Sequence, residues 1–416
     1  MSTFPDSDFE AAPLPAAGAA APRGAEVVPW LTLVALSAAH FAVDCCTGIW
    51  PVFKSLAQLD LVKAGLIATV GSMAANGLQV VFGTLADRGW RKHMLVGGTV
   101  LAGAITLVPY AGSYTLMFAL QLATALGSAA FHPSGAGAAG EVSRSRTGVM
   151  IGIFLAGGFL GYGFSQLLFS AVYLRSSQLT PVILVAPLAA AAALAVLLPS
   201  GPGGRRERGR GRETLDTQAV ALLPLFGVQV FATTAFQSLV FLLPELMASR
   251  QAPGWIANGG AHFGLVAGGC LALLPAGHSA DRWGARRVLL VGNAATGVLL
   301  ALLLAGSAAP VAGLALVTAY GLFNGVNTVV TVAEGNRMLP GHASAVSSLL
   351  MGVPWCIGAV GPVVAGALAE PASGGSPALA LSWLGLAIPL ALVSALFVRP
   401  RRDGGPSHLD ARDPRC

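Results

Sequence analysis

Asp44 is the one carboxylate well inside a long apolar run, and His40 precedes it by four residues. At about 100° per residue the two side chains lie about 40° apart on one helix face, close enough to touch. A charged side chain at bilayer depth costs roughly 2.5–3.5 kcal/mol on insertion scales, so its retention there points to a function. Burial and a neighbouring charge both act on the proton affinity of such a carboxylate, and the pair can titrate as one coupled unit in the physiological range. The chemistry implied is proton uptake and release. The plainer reading is a buried His–Asp hydrogen bond that fixes the helix. A second apolar run carries Phe131-His132-Pro133-Ser134-Gly135. Pro133 frees a backbone carbonyl and can bend or break its helix; His132 could bind a solute, pass a proton or stabilise the bend. Asn76, Gln79, Gln121, Gln237, Asn324 and Asn327 are the remaining candidates for lining a polar cavity, although any one such amide is more often a helix–helix hydrogen bond. Trp355, beside Pro354, reads as an aromatic gate or as core packing, and Glu334 as a gate or a solvated helix-end charge.

The elements that must position these groups are membrane helices. Of the 416 residues, 55% are hydrophobic and 10% charged, against roughly 25% charged in soluble domains. A spanning helix needs about 20 mostly apolar residues, and twelve segments supply them: 28–50, 62–85, 93–111, 115–139, 147–172, 179–199, 218–244, 259–279, 287–306, 310–333, 342–369 and 377–398. Glycine, with 53 residues, suits helices packed closely in lipid. The net charge of +6 lies between the apolar runs and not in an aromatic-studded basic stripe, which argues against nucleic acid as a partner. Cys45, Cys46, Cys270 and Cys356 fall in or beside apolar helices, so no disulfide framework is implied.

Orientation follows from the basic residues. With both termini in the cytoplasm, Lys54, Lys63, Arg175 and Arg250 face the other side and the remaining 20 of the 24 Lys and Arg are cytoplasmic. The expected organisation is a cytoplasmic disordered tail over 1–27, a six-helix bundle over 28–199, an Arg/Gly-rich linker over 200–217, a second six-helix bundle over 218–398, and a cytoplasmic tail over 399–416. The tail 1–27 is rich in Ala and Pro and lacks the basic start of a signal peptide.

The halves repeat a motif. After the second segment the chain reads Gly83-Thr-Leu-Ala-Asp87-Arg88-Gly-Trp-Arg91-Lys92; after the eighth it reads Gly277-His-Ser-Ala-Asp281-Arg282-Trp-Gly284-Ala-Arg286-Arg287. Internal repeats at corresponding positions mark secondary transporters. This Gly-x-x-x-Asp-Arg loop is the signature of the major facilitator superfamily, and its two copies give the chain a resemblance to that fold: all-α, twelve transmembrane helices in two pseudo-symmetric six-helix bundles. The small Gly83 and Gly277 let their helices approach neighbours, and Asp87, Asp281, Arg88, Arg91, Arg282 and Arg286 form a candidate cytoplasmic latch. Alternatively these charges only enforce topology.

Within the superfamily, the His40-x-x-x-Asp44 helix, the Gly127-Ser-Ala-Ala-Phe131-His132-Pro133 segment, and Leu339-Pro340-Gly341 before a glycine-rich eleventh helix resemble the fosmidomycin resistance family. The resemblance runs over roughly 28–398 and implies proton-driven export of small polar or amphiphilic drugs across the bacterial inner membrane. Two positions depart from it. Ser134 stands where the family has Glu, and Ser165-Gln166 stand where its fifth helix has a Gly-Pro pair, so Asp44 would carry more of any coupling.

The sequence therefore predicts a secondary transporter working by alternating access, with Asp44 and His40 coupling to protons and His132 with the amides contacting solute. Its partners are a small-molecule substrate, protons and membrane lipid, and it acts as a monomer. No cofactor or metal is implied: there is no Gly-x-x-x-x-Gly-Lys-Ser/Thr loop for ATP and no metal cluster or nucleophile–base constellation of an enzyme. The rival readings are a proton-coupled uptake symporter on the same fold and a non-transporting receptor or assembly factor.

Overall fold

The computed structural model describes residues 29–143, 145–198, 220–305, 309–339, 346 and 348–400. The expected tail 1–27, the linker 200–217 and residues 401–416 lie outside them. Every regular element among the described residues is helical. That is what apolar chain dictates in lipid, where backbone N–H and C=O groups must be satisfied within the segment.

Among the described residues, eleven helical stretches are long and apolar enough to cross a membrane, and one of them, Leu61–Tyr110, holds 50 residues. At about 1.5 Å per residue it would reach far beyond a hydrocarbon layer of about 30 Å. It reverses at Gly89, whose φ of 101° belongs to the region open to glycine. The stretch is therefore two passes, and the total is twelve: α1 (Trp30–Leu56), α2 (Leu61–Leu85), α3 (Arg91–Tyr110), α4 (Tyr114–Glu141), α5 (Thr147–Arg175), α6 (Ser177–Leu197), α7 (Val220–Ser249), α8 (Ile256–Trp283), α9 (Ala285–Ala305), α10 (Pro310–Met338), α11 (Leu349–Ala369) and α12 (Pro377–Leu396). Side-chain caps fix several starts: Asp60 accepts from Lys63 N at 2.9 Å, and Ser113 and Ser376 accept from Leu116 N and Leu379 N.

Several helices run further than the apolar runs predict, and in two of them the extension carries a charge inward. α1 continues six residues past Trp50, because Pro51 begins a short helical section, a position where its missing N–H costs nothing. α7 continues through Pro244 to Ser249. These extensions bring Lys54 and Glu245 into the helical body. In α4, Pro133 is accommodated inside a helix that runs without interruption from Tyr114 to Glu141.

The buried apolar residues form three cores, and their placement describes the state of the molecule. Consecutive passes alternate direction, so one end of the bundle carries both Gly-x-x-x-Asp-Arg loops; we refer to it as the motif end. There the first bundle has its own core (Leu36, Val43, Leu95, Phe131, Phe154, Leu194) and the second bundle another (Leu225, Val228, Ala280, Leu289, Val330, Leu350). At the far end a single core joins the bundles, with Trp50, Phe53 and Phe169 of the first packed with Leu239, Phe241 and Tyr320 of the second. The bundles are thus sealed together at the far end and hold separate cores at the motif end.

Candidate functional site

An ionisable cluster within the spanning helices is built from two helices of the first bundle. On α1, His40 and Asp44 share a face as the spacing requires, with His40 Nε2 3.2 Å from Asp44 Oδ2. From α4, His132 places its Nε2 3.1 Å from the other carboxylate oxygen, Oδ1. His132, for which the sequence leaves solute binding, proton passage and bend stabilisation open, thus joins the His–Asp pair as a third member. α5 closes the site from behind. Gly158 lies directly against His40 and Asp44, and an added Cβ would stand 2.7 Å from Asp44 Oδ2. The glycine-rich stretch of α5 thus lets its backbone settle where a side chain would collide with the carboxylate.

Both imidazoles have their tautomer set by backbone carbonyls. His40 Nδ1 donates to the Phe154 carbonyl at 2.8 Å, and its ring stacks on Phe154 at 4.1 Å. His132 Nδ1 donates to the Ser128 carbonyl at 2.8 Å, with Ser128 Oγ at 3.2 Å. A carbonyl only accepts, so each Nδ1 carries a hydrogen. In the neutral ring each Nε2 is then a bare lone pair, and each faces a carboxylate oxygen. Asp44 and His132 keep 17% and 27% of their side-chain surface exposed, whereas His40 keeps 4%. The sealed far-end core leaves the motif end as the direction of access. The donor atoms of these three residues lie within 4.8 Å of one another, close enough to hold a metal ion. Spacing along the chain could not reveal this group, because 88 residues separate Asp44 from His132.

The amide candidates divide into two groups. One crosses the boundary between bundles: Asn76 Nδ2 donates to the Ser72 carbonyl at 2.8 Å, Ser72 Oγ donates to Gln237 Oε1 at 2.9 Å, and Gln237 Nε2 donates to the Trp355 carbonyl at 2.9 Å. Trp355 packs edge-on against Phe236, ring centres 5.8 Å apart. The other group is internal. Asn327 exchanges amide hydrogen bonds with Asn293 at 2.7 and 3.2 Å, buried within the second bundle. Gln121 packs against Gly71 inside the first bundle. Gln79 and Asn324 are half-buried on α2 and α10.

The loop charges at the motif end close within bundles. Arg91 pairs with Glu141 at 2.6 Å in the first. Arg337 pairs with Asp281 in the second and contacts Glu334 at 3.4 Å. Gly83 sits against Pro133 of α4, 3.4 Å from where a Cβ would stand. Asp87, Arg88 and Arg282 are exposed, while Arg286 and Gly277 are half-buried.

Sequence reasoning passed over the polar contacts that join the bundles near the far end. Lys54 reaches Glu245, Glu370 accepts from Leu61 N at 3.0 Å, Thr69 Oγ1 accepts from Val363 N at 3.1 Å, and His262 donates to the Tyr162 carbonyl at 2.9 Å.

Twelve spanning helices in two halves, sealed at one end, with an ionisable cluster at depth, define a membrane carrier of the alternating-access kind. The sequence profile of the Major Facilitator Superfamily matches residues 32–267, and the chain belongs to that family. It is 25% identical over 383 residues to the "Uncharacterized MFS-type transporter YfnC" of Bacillus subtilis (strain 168), covering 87% of this chain and 91% of that protein. It is 28% identical over 165 residues to the "Fosmidomycin resistance protein" of Escherichia coli (strain K12), covering 38% of this chain and 41% of that one. Among solved structures, the fold is shared with the nucleoside transporter NupG (TM-score 0.68, 16% identity, 89% of this chain and 100% of that one). It is also shared with a bacterial homolog to the human lysosomal transporter Spinster in an inward-facing, occupied conformation (TM-score 0.69, 15% identity, 90% and 95%). The protein is a multi-pass membrane transporter of small molecules.

Proposed function

We propose that the protein is a proton-coupled exporter of small polar or amphiphilic molecules in the bacterial inner membrane, with both termini in the cytoplasm. In that orientation the motif end is cytoplasmic and the arrangement described is inward-open. The observation that carries the reading is the count of protons the His40–Asp44–His132 cluster requires. Each Nε2···carboxylate contact sets one acceptor against another unless a proton lies between them. Two protons fill both contacts and leave the cluster with a net charge of +1. With one proton the cluster is neutral and one contact is repulsive; with none it carries −1 and both are. Losing the proton between His132 and Asp44 therefore pushes α4 away from α1, and regaining it draws the helices together, while the His40 contact lies within α1. This links occupancy by protons to helix packing, as coupled transport requires. Protons suit the cluster better than a structural metal, because two imidazoles and one carboxylate fall short of the four ligands of such a site. Solute would be held at the boundary between the bundles by Asn76, Gln237 and Trp355, with the half-buried Gln79 and Asn324 beside it and the motif-end charges Asp87, Arg88, Arg282 and Arg286 guarding the cytoplasmic mouth. The match to a fosmidomycin resistance protein supports export as the direction.

The test is accumulation of a labelled solute panel by cells expressing the protein. Export predicts lower accumulation of at least one solute, abolished by a protonophore, and raised tolerance where that solute is toxic. Protonophore-sensitive accumulation above control cells would instead establish uptake by symport.

A further inference from the structure

Lys54 is fully buried, while the other long cations among the described residues stand at or near helix ends. It stands on the last section of α1, near the far end of the first bundle, and everything that binds its charge comes from the second bundle. Glu245 Oε1 of α7 is 2.5 Å from Lys54 Nζ, and the ring of Phe241, one turn earlier on α7, lies under the ammonium at 4.3 Å. The Lys54 side chain has no exposed surface and that of Glu245 has 16%. Close by, Glu370 at the end of α11 accepts from the backbone N–H of Leu61, the first residue of α2. Two carboxylates of the second bundle thus grip the first, one on a cation and one on a backbone N–H at a helix start.

Rocking the bundles apart at the far end must pull Lys54 off Glu245. An apolar seal would lose its contacts on opening and gain nothing from water. An ion pair behaves differently: its attraction roughly offsets the desolvation of two charges while closed, and each ion regains hydration once apart. Removing one partner strands the other charge in the closed interface, which is the costly case. We propose that Lys54 and Glu245, with Phe241, form the releasable lock of the far-end gate. The pair holds the gate shut, and its charges allow the gate to open. The inference concerns only the relative motion of the bundles and stands whatever ion or solute the transporter uses.

The lock makes opposite predictions for single and paired substitutions. Spin labels on Ser177→Cys and Ser249→Cys, both exposed at the far end and one on each bundle, report the gate distance by pulsed electron spin resonance in reconstituted protein whose native cysteines are replaced by alanine. Glu245→Ala should raise the ratio of open to closed gate by roughly a hundredfold or more. Lys54→Met with Glu245→Leu should push that ratio below its level in the parent, and the exchange Lys54→Glu with Glu245→Lys should restore the parent distribution. Should Glu245→Ala fail to fold, Glu245→Gln keeps the side-chain volume and is expected to move the distribution in the same direction. An unchanged distribution in the single variant overturns the proposal, and so does a paired apolar variant that opens the gate as the single one does.

Discussion

Gly158 offers the most direct steric probe of the proton cluster, because it disturbs the geometry without replacing a titratable group. In Gly158→Ala the new methyl would stand 2.7 Å from Asp44 Oδ2, where ordinary contact begins at 3.4 Å, and closer still to His40 Nε2. The carboxylate must retreat by about 0.7 Å or α5 must lift from α1. Gly157 and Gly161 oppose the second response, since each lies against the α1 backbone, at Ser37 and Phe41. The retreat would lengthen the 3.2 Å contact to His40 beyond hydrogen-bonding range. A hydrogen bond involving a charged group contributes roughly 1.5–3 kcal/mol, so the protonated arrangement should weaken by about 10- to 150-fold. The assay is solute-driven proton flux in proteoliposomes, with the melting temperature as a check on folding. Gly152→Ala, which meets nothing within 4 Å, is the control. A Gly158→Ala protein that folds normally and couples protons like the control would refute the assignment of the cluster.

Three further outcomes follow from the same contacts. His132→Gln removes one of the two proton positions, so protons moved per solute should fall, as read by parallel proton and solute fluxes. Asn293→Leu leaves the buried Asn327 amide unpaired and should destabilise the protein by about 1–3 kcal/mol, lowering the melting temperature while solute KM stays unchanged. Arg91→Ala breaks a partly exposed pair with Glu141 and should cost no more than about 1 kcal/mol in stability, with transport preserved.

The fold was legible because lipid imposes strong rules on sequence. Apolar length set the passes, and the two Gly-x-x-x-Asp-Arg loops set the symmetry. The His40–Asp44 pair was legible because a helix brings residues four apart together. His132 was visible as a residue of interest, but its partnership with Asp44 depends on how α4 packs on α1, and no local pattern encodes that. Lys54 and Glu245 were missed for a related reason. Charges beside Pro51 and Pro244 look like segment ends, yet both helices continue through the prolines and the two charges neutralise each other across the interface. Asn327, one of the amides with a polar appearance in sequence, spends its hydrogen bonds on Asn293, so the tertiary pairing decides which amides remain for solute.

The central claim is that Asp44, with His40 and His132, couples solute movement to protons. Proteoliposomes containing an internal pH dye, challenged with a panel of solutes, test it with wild type and Asp44→Asn side by side. The account predicts a solute-dependent proton flux in wild type, with the sign of exchange, that is lost in the variant. A flux unchanged by the substitution, or none with any solute that wild type demonstrably moves, would contradict it.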